Sequence, residues 1–160
     1  MNRLNTLKLA IAAIMAGLTD LLGWKGVMMV MLAVVMALDY ISGTLAAKKA
    51  GEWSSTIARE GLFHKGGTIL VTAVALIADG LFCAAIPQIP IVGVNPGVFL
   101  PLVLAWYILT EIGSILENAV RMGAAVPRWF VRAISATGKL VDKAGEAQVP
   151  ETDSGEADDD

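Results

Sequence analysis

Charge is scarce in the middle of this chain. Only 17% of its 160 residues are Asp, Glu, Lys or Arg, and between Gly66 and Gly113 there are two charges, Asp79 and Glu111. A soluble domain of this size must cover its surface with charge, whereas a bilayer demands about 20 apolar residues per spanning helix. The shortage excludes a soluble globular domain and predicts an integral membrane protein. Cysteine is nearly absent as well. Cys83 stands alone, which excludes an intrachain disulfide, and it reads as a small apolar side chain within a helix. The one histidine, His64, lies beside Lys65 and reads as a solvated boundary residue. There is no HExxH, no glycine-rich phosphate loop, no CxxC and no nucleophile beside a base. No enzyme activity, cofactor or metal is expected.

Four apolar segments are present, at about 7–22, 26–47, 67–86 and 98–119. Between the last two lies a loop with prolines at 87, 90 and 96, which break any helix there. Beyond it, 121–144 alternates basic residues (Arg121, Arg128, Arg132, Lys139, Lys143) with Trp129, Phe130, Val131 and Ile134. That pattern is an amphipathic helix lying at a membrane interface. The end, 145–160, is acidic and almost free of large apolar groups, so disorder is predicted there. Seven of the fifteen acids lie in the last fifteen residues, so the formal net charge of −3 hides a basic body. Its basic residues are dispersed around apolar segments, and no nucleic-acid partner follows. Methionines 28, 29, 31 and 36 read as adaptable packing within the second segment.

Lys and Arg collect on the cytoplasmic side of a membrane protein. The stretch between the second and third segments holds Lys48, Lys49, Arg59 and Lys65, and the proline-rich loop holds none. The first is therefore expected inside and the second outside, with the basic stretch after the fourth segment also inside. Four spans and two cytoplasmic termini are the expectation. The first segment is the short one: ~16 residues cover about 24 Å, against a hydrocarbon core of about 30 Å. An interfacial helix and a cleaved signal peptide are its alternatives. Trp24, Trp53 and Trp129 fall near predicted boundaries, where indole rings favour a half-wet setting.

Three carboxylates, Asp39, Asp79 and Glu111, lie within the segments, one to each of the last three. Ionised against lipid, each costs roughly 2.5–3.5 kcal/mol on an insertion scale. No Lys or Arg falls inside these three segments as drawn. Each acid is thus expected to face water, to pair with a polar group on another helix or subunit, or to be protonated. Helical spacing gives each a stripe: Asp39, Ser42, Gly43 and Ala46; Thr68, Thr72, Ala75 and Asp79; Glu111, Ser114 and Asn118, with Glu117 flanking. Small residues let backbones approach, and polar ones hydrogen-bond across helices. Such stripes either hold one protomer together or face other subunits or a water-filled lumen.

The run Leu38-Asp39-Tyr40-Ile41-Ser42-Gly43 resembles the D-Y-[IL]-[ST]-G signature of the toxin-secretion/phage-lysis holin family. Ser54-Ser55, Gly61 and Lys65 fall where that family has a Ser-Ser pair, a Gly and a Lys leading into the next helix. Glu111-Ile112-Gly113-Ser114-Ile115-Leu116-Glu117-Asn118 is similar to its E-G-x-S-[IL]-[IL]-E-N block. The chain departs from the pattern with Ala58 for a usual Gly, Glu60 for a common basic residue, and an acidic tail.

The resemblance implies an all-α integral membrane protein, a small homo-oligomeric bundle of three to four transmembrane helices. Its membrane domain is 1–144 and its acidic tail 145–160. It also implies a role in host-cell lysis or toxin release: self-association in the bacterial cytoplasmic membrane, lesions that collapse the potential, and release of an endolysin with which contact is not required. Partners are then other copies of the chain and membrane lipid. Asp39, Ser42, Gly43, Thr72, Asp79, Glu111, Ser114, Glu117 and Asn118 are the candidate pore- or oligomer-facing set, with Ser54, Ser55, Gly61 and Lys65 as the motif loop. A small proton-coupled transporter and an accessory membrane scaffold are the competing readings.

Overall fold

The computed structural model describes residues 3–85 and 97–148. It holds five helices among them: α1 (Arg3–Leu22), α2 (Trp24–Ala50), α3 (Ser55–Ala85), α4 (Phe99–Arg121) and α5 (Arg128–Glu146). The proline-rich loop at 87–97 falls outside the described residues except for Gly97, and so does the acidic tail beyond Gln148.

Glycine sets the two tightest junctions. Gly23, with φ 60°, is the single residue between α1 and α2. Gly51 ends α2 at φ 73°, a left-handed conformation that costs glycine little. Its N–H and that of Glu52 return to the carbonyls of Lys48 and Ala47, so α2 turns within four residues into α3.

α4 is the central helix. It packs along α2, meets α3 and carries α5, whereas α2 and α3 touch each other only sparingly. The buried core lies where the three long helices face one another: Leu32 and Met36 from α2, Ala75 from α3, and Leu100, Leu104 and Ile108 from α4. Most other large apolar side chains point outward, among them Leu70, Val74 and Ile77 of α3, all more than 60% exposed. In water such a surface aggregates; against lipid tails it is the ordinary exterior of a spanning helix.

Three helices, Trp24–Ala50, Ala58–Ala85 and Phe99–Arg121, are long and apolar enough to cross a membrane. The protein is accordingly an all-helical membrane protein. The segment expected as a fourth span, 7–22, lies within α1. That helix has 20 residues, about 30 Å at 1.5 Å per residue, and its described residues include the apolar run Asn5–Ile14. Leu7, Leu9, Ile11 and Ile14 are all exposed, so α1 borrows little from the bundle.

Two boundaries need correction. The stretch 48–66 is mostly helix, not loop: α2 continues through Lys49, and α3 begins at Ser55, a dozen residues before its apolar run. Hydropathy reports how much of a helix sits in lipid, and 55–66 contains no proline to stop the helix. The basic segment is likewise not one helix over 121–144. α4 runs to Arg121, Gly123 (φ 94°) and the turn to Pro127 intervene, and α5 follows.

Candidate functional site

Two polar clusters tie α2, α3 and α4 together, one at each end of the apolar core. At the end where α4 begins, Asp79 of α3 accepts hydrogen bonds from the backbone N–H groups of Phe99 (2.9 Å) and Leu100 (3.1 Å). These donors have no partner within their own helix. A carboxylate beside them is favoured by both the hydrogen bonds and the helix dipole. Lys25 of α2 completes the cluster. Its Nζ lies 3.2 Å from Asp79 Oδ2 and donates to the Gly97 carbonyl at 2.7 Å. Gly97 (φ 81°) permits this approach, since a Cβ there would lie 3.1 Å from Lys25 Nζ.

At the opposite end of the core, Lys65 of α3 sits between two acids. Its Nζ is 2.6 Å from Glu111 Oε2 on α4 and 3.0 Å from Asp39 Oδ2 on α2. Asn118 of α4 donates through Nδ2 to Asp39 Oδ1 and to Ser42 Oγ, both at 3.1 Å. Ser42 in turn donates to the Asp39 carbonyl. A Cβ added at Gly43 would lie 3.4 Å from Asn118 Nδ2, so the glycine lets α2 and α4 close over this network. No buried side-chain nitrogen or oxygen among the described residues lacks a hydrogen-bond partner, the condition under which charges survive in a low-dielectric interior.

The expectation that no basic residue inside the spans could partner the acids is thereby overturned. Lys25 and Lys65 fall just outside the apolar runs, yet both belong to the helices, and their four-carbon stems carry the ammonium groups inward. A signal was present in the sequence. Lys25 precedes Asp39 by the same interval, fourteen residues, at which Lys65 precedes Asp79. That interval spans about 21 Å of helix. In antiparallel helices each lysine then meets the other helix's aspartate.

The two clusters differ in charge and access. The Lys25–Asp79 cluster is balanced. The Lys65 cluster sets one cation against two carboxylates, and a cavity of about 340 Å³ opens over it. Asp39, Gly43, His64 and Lys65 line that cavity, and Glu52 and Arg121 stand at its mouth, 2.8 Å apart in an exposed ion pair.

The other predicted site residues are dispersed. Thr72 is buried on α3 and donates to the Thr68 carbonyl, the usual resolution for a threonine inside a spanning helix. Ser114 is half-buried and Glu117 exposed, and neither enters a cluster. Of the motif loop, Ser54 precedes α3 and its carbonyl accepts from the Ala58 N–H. Ser55 opens the helix and Gly61 lines the cavity wall. Lys65, expected to lead into a helix, is the centre of the site. Sequence reasoning missed Lys25, Gly97 and the α4 N-terminus.

Comparison with known proteins agrees with this architecture. The model of a bacteriophage holin family matches residues 16–139, from α1 through α5. An uncharacterized 14.9 kDa protein of Clostridium perfringens is 28% identical over 83% of this chain and 93% of its own length. An uncharacterized protein of Halalkalibacterium halodurans is 30% identical over 81% and 91%, and one of Listeria monocytogenes 32% identical over 67% and 69%. No solved structure matches the chain significantly. With α2, α3 and α4 whole, both three-helix clusters and all the motif residues inside the matched region, the chain belongs to the bacteriophage holin family.

Proposed function

We propose that this protein is a holin: it accumulates in the host cytoplasmic membrane, self-associates, and opens lesions that collapse the membrane potential and release an endolysin. The observation that carries this reading is the Lys65 cluster, an unbalanced charged network inside helices of membrane length. A passive membrane scaffold needs no such network, since apolar residues of similar volume pack as well or better. While closed, the network lets the protomer sit in lipid without exposing charge. Once opened toward a neighbouring copy, Asp39, Ser42, Glu111, Ser114 and Asn118 supply a polar wall that water can wet, with Thr72 and Asp79 continuing it along α3 and Glu117 at its rim.

The orientation follows from the basic residues. The end of α2, with Lys48 and Lys49, and the whole of α5 lie on the cytoplasmic side. Lys25 is the basic residue at the outer end. If α1 crosses as well, a reporter at the N-terminus lies inside, on the same side as one at the C-terminus. A reporter found outside makes α1 an interfacial helix of the outer face.

Timed expression in a bacterium, with and without a co-expressed endolysin, tests the function. The holin reading requires an abrupt loss of potential and lysis that depends on endolysin. Asp39→Leu combined with Glu111→Leu is expected to insert but to shift or abolish lysis timing. Normal timing in that variant would remove these residues from the lesion. Substrate-dependent uptake without loss of potential would mark a transporter instead.

A further inference from the structure

The α4–α5 corner carries a feature that lesion formation does not use. α5 has its polar and apolar residues segregated to opposite sides. Arg128, Arg132, Lys139 and Lys143 share one face at helical spacing, and Trp129, Phe130 and Leu140 are exposed elsewhere around it. Beside the first turn an open pocket of about 520 Å³ is lined by Val120 at the end of α4, Val126 in the turn, and Arg128, Val131 and Arg132. Three valines give it an apolar surface and two arginines a basic one. Neither arginine has an ion-pair partner among the described residues, whereas Lys25, Lys65 and Arg121 all do.

The geometry points to a binding site for an anionic phospholipid of the cytoplasmic leaflet. The valine surface takes the upper part of an acyl chain, and Arg128 and Arg132 take the phosphate, for which the guanidinium fork is suited. Charge complementarity and depth agree, because α4 leaves the bilayer at Arg121 and α5 lies where headgroups lie. The acidic tail of the same chain is the rival occupant. It offers carboxylates to the arginines but, beyond Val149, only one proline, small residues and polar ones to the valines. The apolar surface therefore favours lipid.

This assignment rests on the membrane orientation proposed above, and its test is independent of lysis. The full chain in mixed micelles is titrated with phosphatidylglycerol or phosphatidylcholine, and retained lipid is counted by native mass spectrometry. A preference for phosphatidylglycerol of roughly five- to tenfold is expected. It should fall to the phosphatidylcholine level in Arg128→Gln/Arg132→Gln and survive in Lys139→Gln/Lys143→Gln, whose residues do not line the pocket. Val126→Trp, which fills the pocket without changing charge, should lower it too; circular dichroism confirms that each variant stays folded. Equal loss in the two double variants, or no loss in the first, overturns the site. So does a preference seen only after truncation behind Gln148, which would give the pocket to the tail. A chain that binds phosphatidylglycerol as expected yet never lyses cells sinks the lesion reading and leaves this site standing.

Discussion

The two polar clusters have nearly the same membership, one residue or more from each of α2, α3 and α4, and opposite characters. The Lys25–Asp79 cluster is sealed. Asp79 is 4% exposed, its charge is matched by Lys25, and its oxygens hold the first N–H groups of α4. The Lys65 cluster is unbalanced, its cation shared between Asp39 and Glu111 beneath an open cavity. The difference teaches where this bundle is permanent and where it can yield. Asp79 cannot leave without stripping two α4 N–H groups of their acceptors and Lys25 of its partner, whereas a surplus carboxylate beside an open cavity has somewhere to go.

Four substitutions sharpen or break that contrast, read as equilibrium unfolding in lipid–detergent micelles. Lys65→Met should cost most, roughly 3–5 kcal/mol, because it strands two carboxylates that shared one cation. Asp79→Leu should follow at about 2–4 kcal/mol, leaving Lys25 unpaired and two N–H groups without acceptors. Asp39→Asn should cost no more than about 1 kcal/mol, since the amide oxygen still accepts from Lys65 and the surplus charge is gone. A loss as large as that of Asp79→Leu would show that the Lys65 cluster is as indispensable as the Lys25–Asp79 one. Arg121→Gln should be smallest, ~0–1 kcal/mol, its partner Glu52 being well exposed.

Much of the fold was legible from hydropathy alone. The second and fourth spans lie within three residues of their helices at either end, since apolar runs end where the bilayer does. What hydropathy could not show is the polar N-terminal extension of α3. Ser55 to Gly66 are helical without being apolar, and the expectation of a loop there displaced Lys65 from the list of interior residues. The site was half legible. The stripes containing Asp39, Ser42, Gly43, Glu111 and Asn118 do converge, because helical periodicity fixes which residues share a face. Their cations were invisible to a method that defines the membrane by excluding charge. Asp79's role depends on the packing that brings it to the start of α4; Pro96-Gly97 mark that start in the sequence, but nothing local shows which acid meets it.

The equal fourteen-residue intervals on α2 and α3 have a mechanical consequence. Two pins hold a plate rigid, but one pin makes it a hinge. Both lysine–aspartate contacts together fix the register of α2 against α3. In the proposed opening, release of the Lys65 contact alone would leave Lys25–Asp79 as a pivot, and the helices would part like a pair of dividers joined at that end.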